Sequence, residues 1–235
     1  MRLLIYGMQS SGASTLALLL AQKPDCSAFV DIWTMYVAPA LPADHAVVAK
    51  VVVTTAFPLA LHQERFRPDR TILFLRHPQV NYRSLASKGY RNHCGFMEEK
   101  FAVLDRVFAA KAAYDAVFYY EDLVLDPAGT AAAITRLGWS CEPDFLRFPR
   151  KHREIIDLNN ARYPGIADRL EYGMGNHRPG GVLCGLSGLE DLSTAIPGMD
   201  AWCPMVLEHY RELLGQSGQN RWSALQKTER GGNPQ

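Results

Sequence analysis

Paired cysteines are the first absence. The 235-residue chain has five cysteines, Cys26, Cys94, Cys141, Cys184 and Cys203, and none belongs to a C-x-x-C pair. An odd, scattered set argues against a disulfide framework and for reduced thiols in a cytoplasmic setting. His93 and Cys94 are adjacent and cannot share a tetrahedral metal site comfortably, and no H-x-x-x-H partner exists, so no metal is expected. Long apolar runs are also missing, since none approaches the ~18 residues of a membrane span. Residues 16–21, following Arg2, imitate a secretion signal, but the polar insert at 9–15 splits that region and Gln22-Lys23-Pro24 is a poor cleavage site. An excess of charge of one sign is absent too. Lys and Arg total 25 against 24 Asp and Glu, a net charge of +1, which offers nothing for bulk nucleic-acid binding. Lysine is scarce, 7 against 18 arginines. That tilt suits an anionic ligand, because arginine is the better fork for phosphate or carboxylate, although genome composition produces the same tilt.

What is present suits a globular protein. Hydrophobic residues make up 48% and charged ones 21%. The length allows one core, expected over residues 1–215, with a polar, frayed tail at 216–235. Apolar β-rich runs predict strands at 2–6, 27–32, 50–55, 71–75 and 116–120. Helical patterns fall between and after them, at 14–22, 58–65, 80–88, 97–114, 128–137, 151–160 and 199–214. Alternation of this kind predicts an α/β fold, a mostly parallel central sheet flanked by helices in three layers. Ligands of such folds sit beyond the C-terminal ends of the strands, where Gly7, Asp31, Thr54, Arg76 and Tyr120 all fall.

The most informative stretch is Gly7-Met8-Gln9-Ser10-Ser11-Gly12-Ala13-Ser14-Thr15. It lies between a predicted strand and a predicted helix, the context in which a glycine-rich turn gathers backbone N–H groups around a phosphate. The spacing fits G-x-x-x-x-G-K-[ST] except at Ala13, where lysine would balance charge on a triphosphate.

Two further motifs follow in order, Arg76-His77-Pro78-Gln79-Val80-Asn81-Tyr82-Arg83-Ser84 and Tyr120-Glu121-Asp122-Leu123 with Asp126-Pro127. Together with Ser11-Gly12-Ala13-Ser14 they make the chain resemble the sulfotransferases, P-loop-like enzymes that use 3′-phosphoadenosine 5′-phosphosulfate (PAPS). The first motif is similar to that family's S-G-T-T or S-G-T-S loop, the second to its R-x-P-x-x-x-x-x-S, and the third to its Y-E-D-L…D-P. The resemblance covers roughly residues 3–140. It implies that Ser10, Ser11, Gly12, Ala13, Ser14 and Thr15 hold the 5′-phosphosulfate, and that Arg76 and Ser84 hold the 3′-phosphate. Tyr120 would flank the adenine. Gly173-Met174-Gly175-Asn176-His177-Arg178-Pro179-Gly180-Gly181 resembles a degenerate version of the family's glycine-rich basic loop that closes over the 3′-phosphate, which would make Arg178 a candidate ligand.

Two departures qualify the implied activity. The family carries Lys or Arg just before the loop's Ser-Gly, where this chain has Ser10, and its common base is a His where this chain has Ala56. His62, Asp31, His45 and His93 remain as alternative bases. The implied reaction transfers a sulfuryl group to a hydroxyl or amine of a small molecule, sugar or lipid. A small-metabolite kinase using ATP and a nucleotide binder that has lost its chemistry are the alternatives. Trp33, Tyr36, Tyr163 and Tyr172 are aromatic candidates for an acceptor wall or for core packing.

Overall fold

The computed structural model describes residues 1–32, 45–56, 58–164 and 195–215. Arg178 and its glycine-rich stretch, the tail at 216–235, and Trp33, Tyr36 and Tyr172 lie outside them.

Five strands, β1 (Arg2–Gly7), β2 (Ser27–Ile32), β3 (Val47–Val52), β4 (Arg70–Leu75) and β5 (Ala116–Tyr119), form one sheet in the order β2-β3-β1-β4-β5. Every pairing is parallel, so all five C-termini share one edge. The helices are α1 (Ala13–Leu20), α2 (Leu59–Arg65), α3 (Pro78–Ala86), α4 (Met97–Ala109), α5 (Tyr120–Leu125), α6 (Pro127–Arg136), α7 (His152–Arg162), α8 (Met199–Trp202) and α9 (Pro204–Gly215).

The sheet is buried on both faces, which is why its strands read as continuous apolar runs. Alternation inside each strand divides two cores. Leu4, Tyr6, Leu73 and Leu75 face Phe101, Leu104 and Phe108 of α4 and Val206, Leu207 and Tyr210 of α9. Leu3, Ile5, Ile72 and Phe74 face Leu16, Leu19 and Leu20 of α1, with Trp139 and Ile155. The result is the expected three-layer α/β architecture. The chain runs from β1 toward β2 on one side and from β4 toward β5 on the other, so the order reverses between β1 and β4. That reversal opens the crevice in which such folds hold ligands.

The structure moves several expected boundaries. The strand expected at 50–55 occupies Val47–Val52. Its register with β1, Arg2 opposite Val47 through Gly7 opposite Val52, ends it level with Gly7, and the β-branched residues beyond turn away. The helix expected over 97–114 stops at Ala109, with a separate 3-10 turn at Lys111–Ala113. The last helix is broken at Cys203 because Pro204 cannot continue the backbone ladder, and Asp105 of α4 caps the restart by accepting from Met205 and Val206 N–H. Tyr120, expected at a strand end, opens α5 immediately after β5.

Candidate functional site

The loop between β1 and α1 is held by close approach. A Cβ on Gly7 would lie 2.2 Å from Ala13 Cβ, and one on Gly12 would lie 2.4 Å from Tyr120 Cδ2. Gly12 also adopts φ 92°, a left-handed conformation that side chains resist. Ser10 is left-handed too, at φ 61°, and Ser11 N–H closes the turn onto Met8 carbonyl at 3.2 Å. Gly12 caps α1 without a side-chain hydrogen bond, and no acidic residue stands in the first turn. Burial of Leu16, Leu19 and Leu20 stabilises α1 instead, at roughly 1.5–3 kcal/mol for each side chain. The geometry leaves a helix N-terminus suited to an anion.

Residues distant in sequence converge on this loop. Arg76, directly after β4, donates from Nη1 to Ser10 carbonyl at 3.0 Å, and its guanidinium stands 4.3 Å over the Tyr120 ring. One side chain therefore joins the ends of β1, β4 and β5. Asn81 of α3 donates from Nδ2 to Gln9 carbonyl at 2.8 Å, and Lys100 of α4 donates from Nζ to Gln9 Oε1 at 3.0 Å. Ser10 Oγ and Arg76 Nε are withheld from solvent with no hydrogen-bond partner among the described residues. Unpaired buried donors are costly, and an anion in the crevice would satisfy them.

Behind Arg76 lies a buried brace. Glu121 accepts from His77 N–H through Oε1 at 2.9 Å and from Tyr210 hydroxyl through Oε2 at 3.0 Å, tying the end of β4 to α5 and α9. Burial pushes its carboxyl up to about 7, against hydrogen bonds from the His77 and Glu121 backbones and Tyr210 and the charge of Arg76. Burial, with Arg83 and Arg211 nearby, pushes His77 down to about 4 and keeps its imidazole neutral.

Of the residues expected to bind nucleotide, Ser10, Ser11, Gly12, Ala13, Ser14, Thr15, Arg76 and Tyr120 are brought together at the β1–β4 crevice. Ser84 is half-buried on α3, three residues beyond Asn81 and so on the helix face that holds the loop.

The base candidates do not converge. His45 precedes β3 at the opposite edge of the sheet, about 20 Å of strand away from the loop, which removes it as a base. Asp31 lies near the C-terminal end of the outer strand β2, with β3 between it and β1. His93 lies between α3 and α4, where its carbonyl accepts from Lys100. His62 of α2 is buried edge-on against Tyr6, 5.6 Å between ring centroids, and neither ring nitrogen has a hydrogen-bond partner among the described residues. Burial pushes it down to about 4, so it stands neutral. Tyr163 packs in the core against Phe29. Among the described residues no cluster of His, Cys, Asp and Glu is placed to hold a metal, and no helix is long and apolar enough to cross a membrane.

Asn81, Lys100 and the bracing role of Glu121 were missed by the reading of spacing. Lys100 alone left a signal, because it shares the stripe of α4 occupied by Leu104 and Phe108, where a charged residue is out of place.

No protein-family model matches the sequence, and no curated protein matches it. Solved structures do. The sulfotransferase domain of the Synechococcus PCC 7002 olefin synthase superimposes with a TM-score of 0.54 at 13% identity, covering 89% of this chain and 94% of that one. The chain has the sulfotransferase fold. Mouse sulfotransferase SULT7A1 complexed with PAP overlays more loosely, with a TM-score of 0.47 at 13% identity, covering 96% of this chain and 88% of that one.

Proposed function

We propose that this sulfotransferase-fold chain is a PAPS-dependent sulfotransferase acting on a hydroxyl or amine of a small molecule, sugar or lipid. The observation that carries the reading is Arg76, which links the loop carbonyl of Ser10 to the Tyr120 ring and so assembles all three motifs in one crevice. The residues fit such a donor. The glycine-constrained turn offers backbone N–H groups, Ser10 Oγ and Arg76 Nε have no hydrogen-bond partner among the described residues, and no acidic residue stands in the first turn of α1.

In this reading the loop from Ser10 to Thr15 holds the 5′-phosphosulfate. Arg76 and Ser84 take the 3′-phosphate, the first through a charge-assisted contact and the second through a hydroxyl. Tyr120 lends an aromatic surface, and Glu121 fixes the backbone from which Arg76 projects by accepting His77 N–H. PAPS supplies the sulfuryl group when bound. The acceptor's proton leaves to a base within about 3 Å of the acceptor hydroxyl. The described candidates for it are Asp31, near the C-terminal end of β2, and His62, which reaches an acceptor only if its packing against Tyr6 opens.

Calorimetry with adenosine 3′,5′-bisphosphate tests this directly. Binding is expected, and Arg76→Ala should weaken it about tenfold or more, the effect of losing a charge-assisted contact. No binding, or binding indifferent to Arg76, would overturn the reading. A nucleotide binder without transfer activity is the second reading, favoured by the serine at position 10 and the depressed basicity of His62. A sulfated product from an acceptor panel, detected by mass spectrometry, excludes it.

A further inference from the structure

The loop has no cation of its own before Ser11-Gly12, yet one arrives from elsewhere. Lys100 sits on the inward stripe of α4 with Leu104 and Phe108 and is 1% exposed. Its ammonium donates to Gln9 Oε1 at 3.0 Å and to the carbonyl of His93. Among the described residues both acceptors are neutral oxygens, and no carboxylate is within ion-pair distance. Glu99, adjacent in sequence, has its carboxylate engaged with Phe96 N–H at 2.7 Å. Burial pushes the lysine below its ordinary value, against smaller opposing effects of Cys94 and Glu99.

A buried ammonium with only neutral partners is expensive, and proteins keep such a charge where an opposite one completes it. Lysine has three donors, of which two are used here, and the residue it grips immediately precedes Ser10. The same loop is poised for an anion and has two buried unpaired donors nearby.

We propose that Lys100 supplies from α4 the positive charge that the loop lacks at Ser10, meeting the 5′-phosphate or phosphosulfate group of the bound nucleotide with its third N–H. This rests on the reading of the crevice as a PAPS site. It relocates the loop cation from the turn to a packed helix, so that a serine at position 10 is compatible with donor binding.

The test compares two probes, adenosine 3′,5′-bisphosphate and adenosine 3′-monophosphate, which lacks the 5′ group. In calorimetry Lys100→Met should weaken the bisphosphate about tenfold or more and leave the 3′-monophosphate within about twofold. Ser10→Lys added to Lys100→Met should restore most of the bisphosphate affinity. Methionine keeps the volume of the lysine stem and removes a buried charge, so the variant should melt no lower than wild type. Lys100→Gln serves in its place if it does not fold. Equal losses for both probes would assign Lys100 a purely structural role and overturn the proposal, as would unchanged bisphosphate binding. If wild-type protein binds the 3′-monophosphate as well as the bisphosphate, no 5′-anion site exists at the loop and the proposal fails, although Arg76 could still hold a 3′-phosphate. Failure of wild type to bind either probe would instead overturn the PAPS reading itself, and this proposal with it.

Discussion

The crevice between β1 and β4 and the surroundings of His62 on α2 are built differently. At the first, Gly7 and Gly12 have no room for a Cβ, and Ser10 and Gln9 carbonyls are held by Arg76 and Asn81. A buried carboxylate braces the strand end from behind. In the second, His62 stands edge-on to Tyr6 with no hydrogen-bond partner for its ring nitrogens among the described residues, and Ala56 packs against the same core. The first is held by backbone geometry and long-range hydrogen bonds, whereas His62 is held by packing. On the proposed reading, the donor is a fixed chemical object that a rigid nest of N–H groups can match, whereas acceptor contacts depend on a few side chains that can change without disturbing the sheet.

Gly12 is where the crevice is least tolerant of change. Gly12→Ala combines a strained left-handed backbone with a collision against Tyr120, and should cost roughly 2–5 kcal/mol of stability in urea unfolding. Bisphosphate binding should vanish with it. A fully stable Gly12→Ala variant that still binds would show that the crevice is not held by its backbone geometry.

Glu121 gives the next largest effect, and it is pH-dependent. Its folded carboxyl titrates near 7, above the unfolded range, so the folded state holds the proton more tightly. The stability it contributes is complete below about pH 4 and is lost as pH rises toward 7, a fall of roughly 3 kcal/mol. Glu121→Gln should flatten that slope in denaturant titrations run from pH 4 to 8. A wild-type slope of the opposite sign would show that the hydrogen bonds of the brace outweigh burial at Glu121, contrary to the expectation.

Arg76→Lys separates charge from shape. Lysine cannot hold the Ser10 carbonyl and cover Tyr120 at once, so bisphosphate affinity should fall about tenfold, close to the loss in Arg76→Ala. Full retention by lysine would reduce the contact to a point charge.

The smallest effect belongs to the surroundings of His62. Replacing unpaired, buried His62 by leucine should raise stability by about 1 kcal/mol in thermal unfolding and leave bisphosphate affinity unchanged. A loss of bisphosphate affinity would place His62 with the donor rather than the acceptor. If sulfation falls in the same variant while binding holds, His62 is the base.

Much of this architecture was legible because local pattern and tertiary demand agree. The strand at Ser27–Ile32 and the loop flanked by β1 and α1 follow from apolar runs and glycine spacing. The strand expected at 50–55 slid by three residues because β-branching continues past the point where β1 has partners to offer. The apolar run places Tyr120 at a strand end, yet the Glu121-Asp122 pair that follows it is what a helix N-terminus favours. The gripping contacts were not legible. Arg76 reaches Ser10 across 66 positions and Lys100 reaches Gln9 across 91, and no local spacing encodes such pairs. The base was not legible for a different reason. A histidine's position in sequence does not say which edge of the sheet it occupies, and His45 occupies the wrong one.

The most direct measurement of the central claim is nucleotide preference, read by calorimetry with adenosine 3′,5′-bisphosphate against magnesium ATP. Binding of the bisphosphate is expected at least about tenfold tighter, because in the proposed site Arg76 and Ser84 hold a 3′-phosphate and Ala13 leaves no loop lysine for a triphosphate. Tighter binding of magnesium ATP, with no gain from a 3′-phosphate, would contradict it.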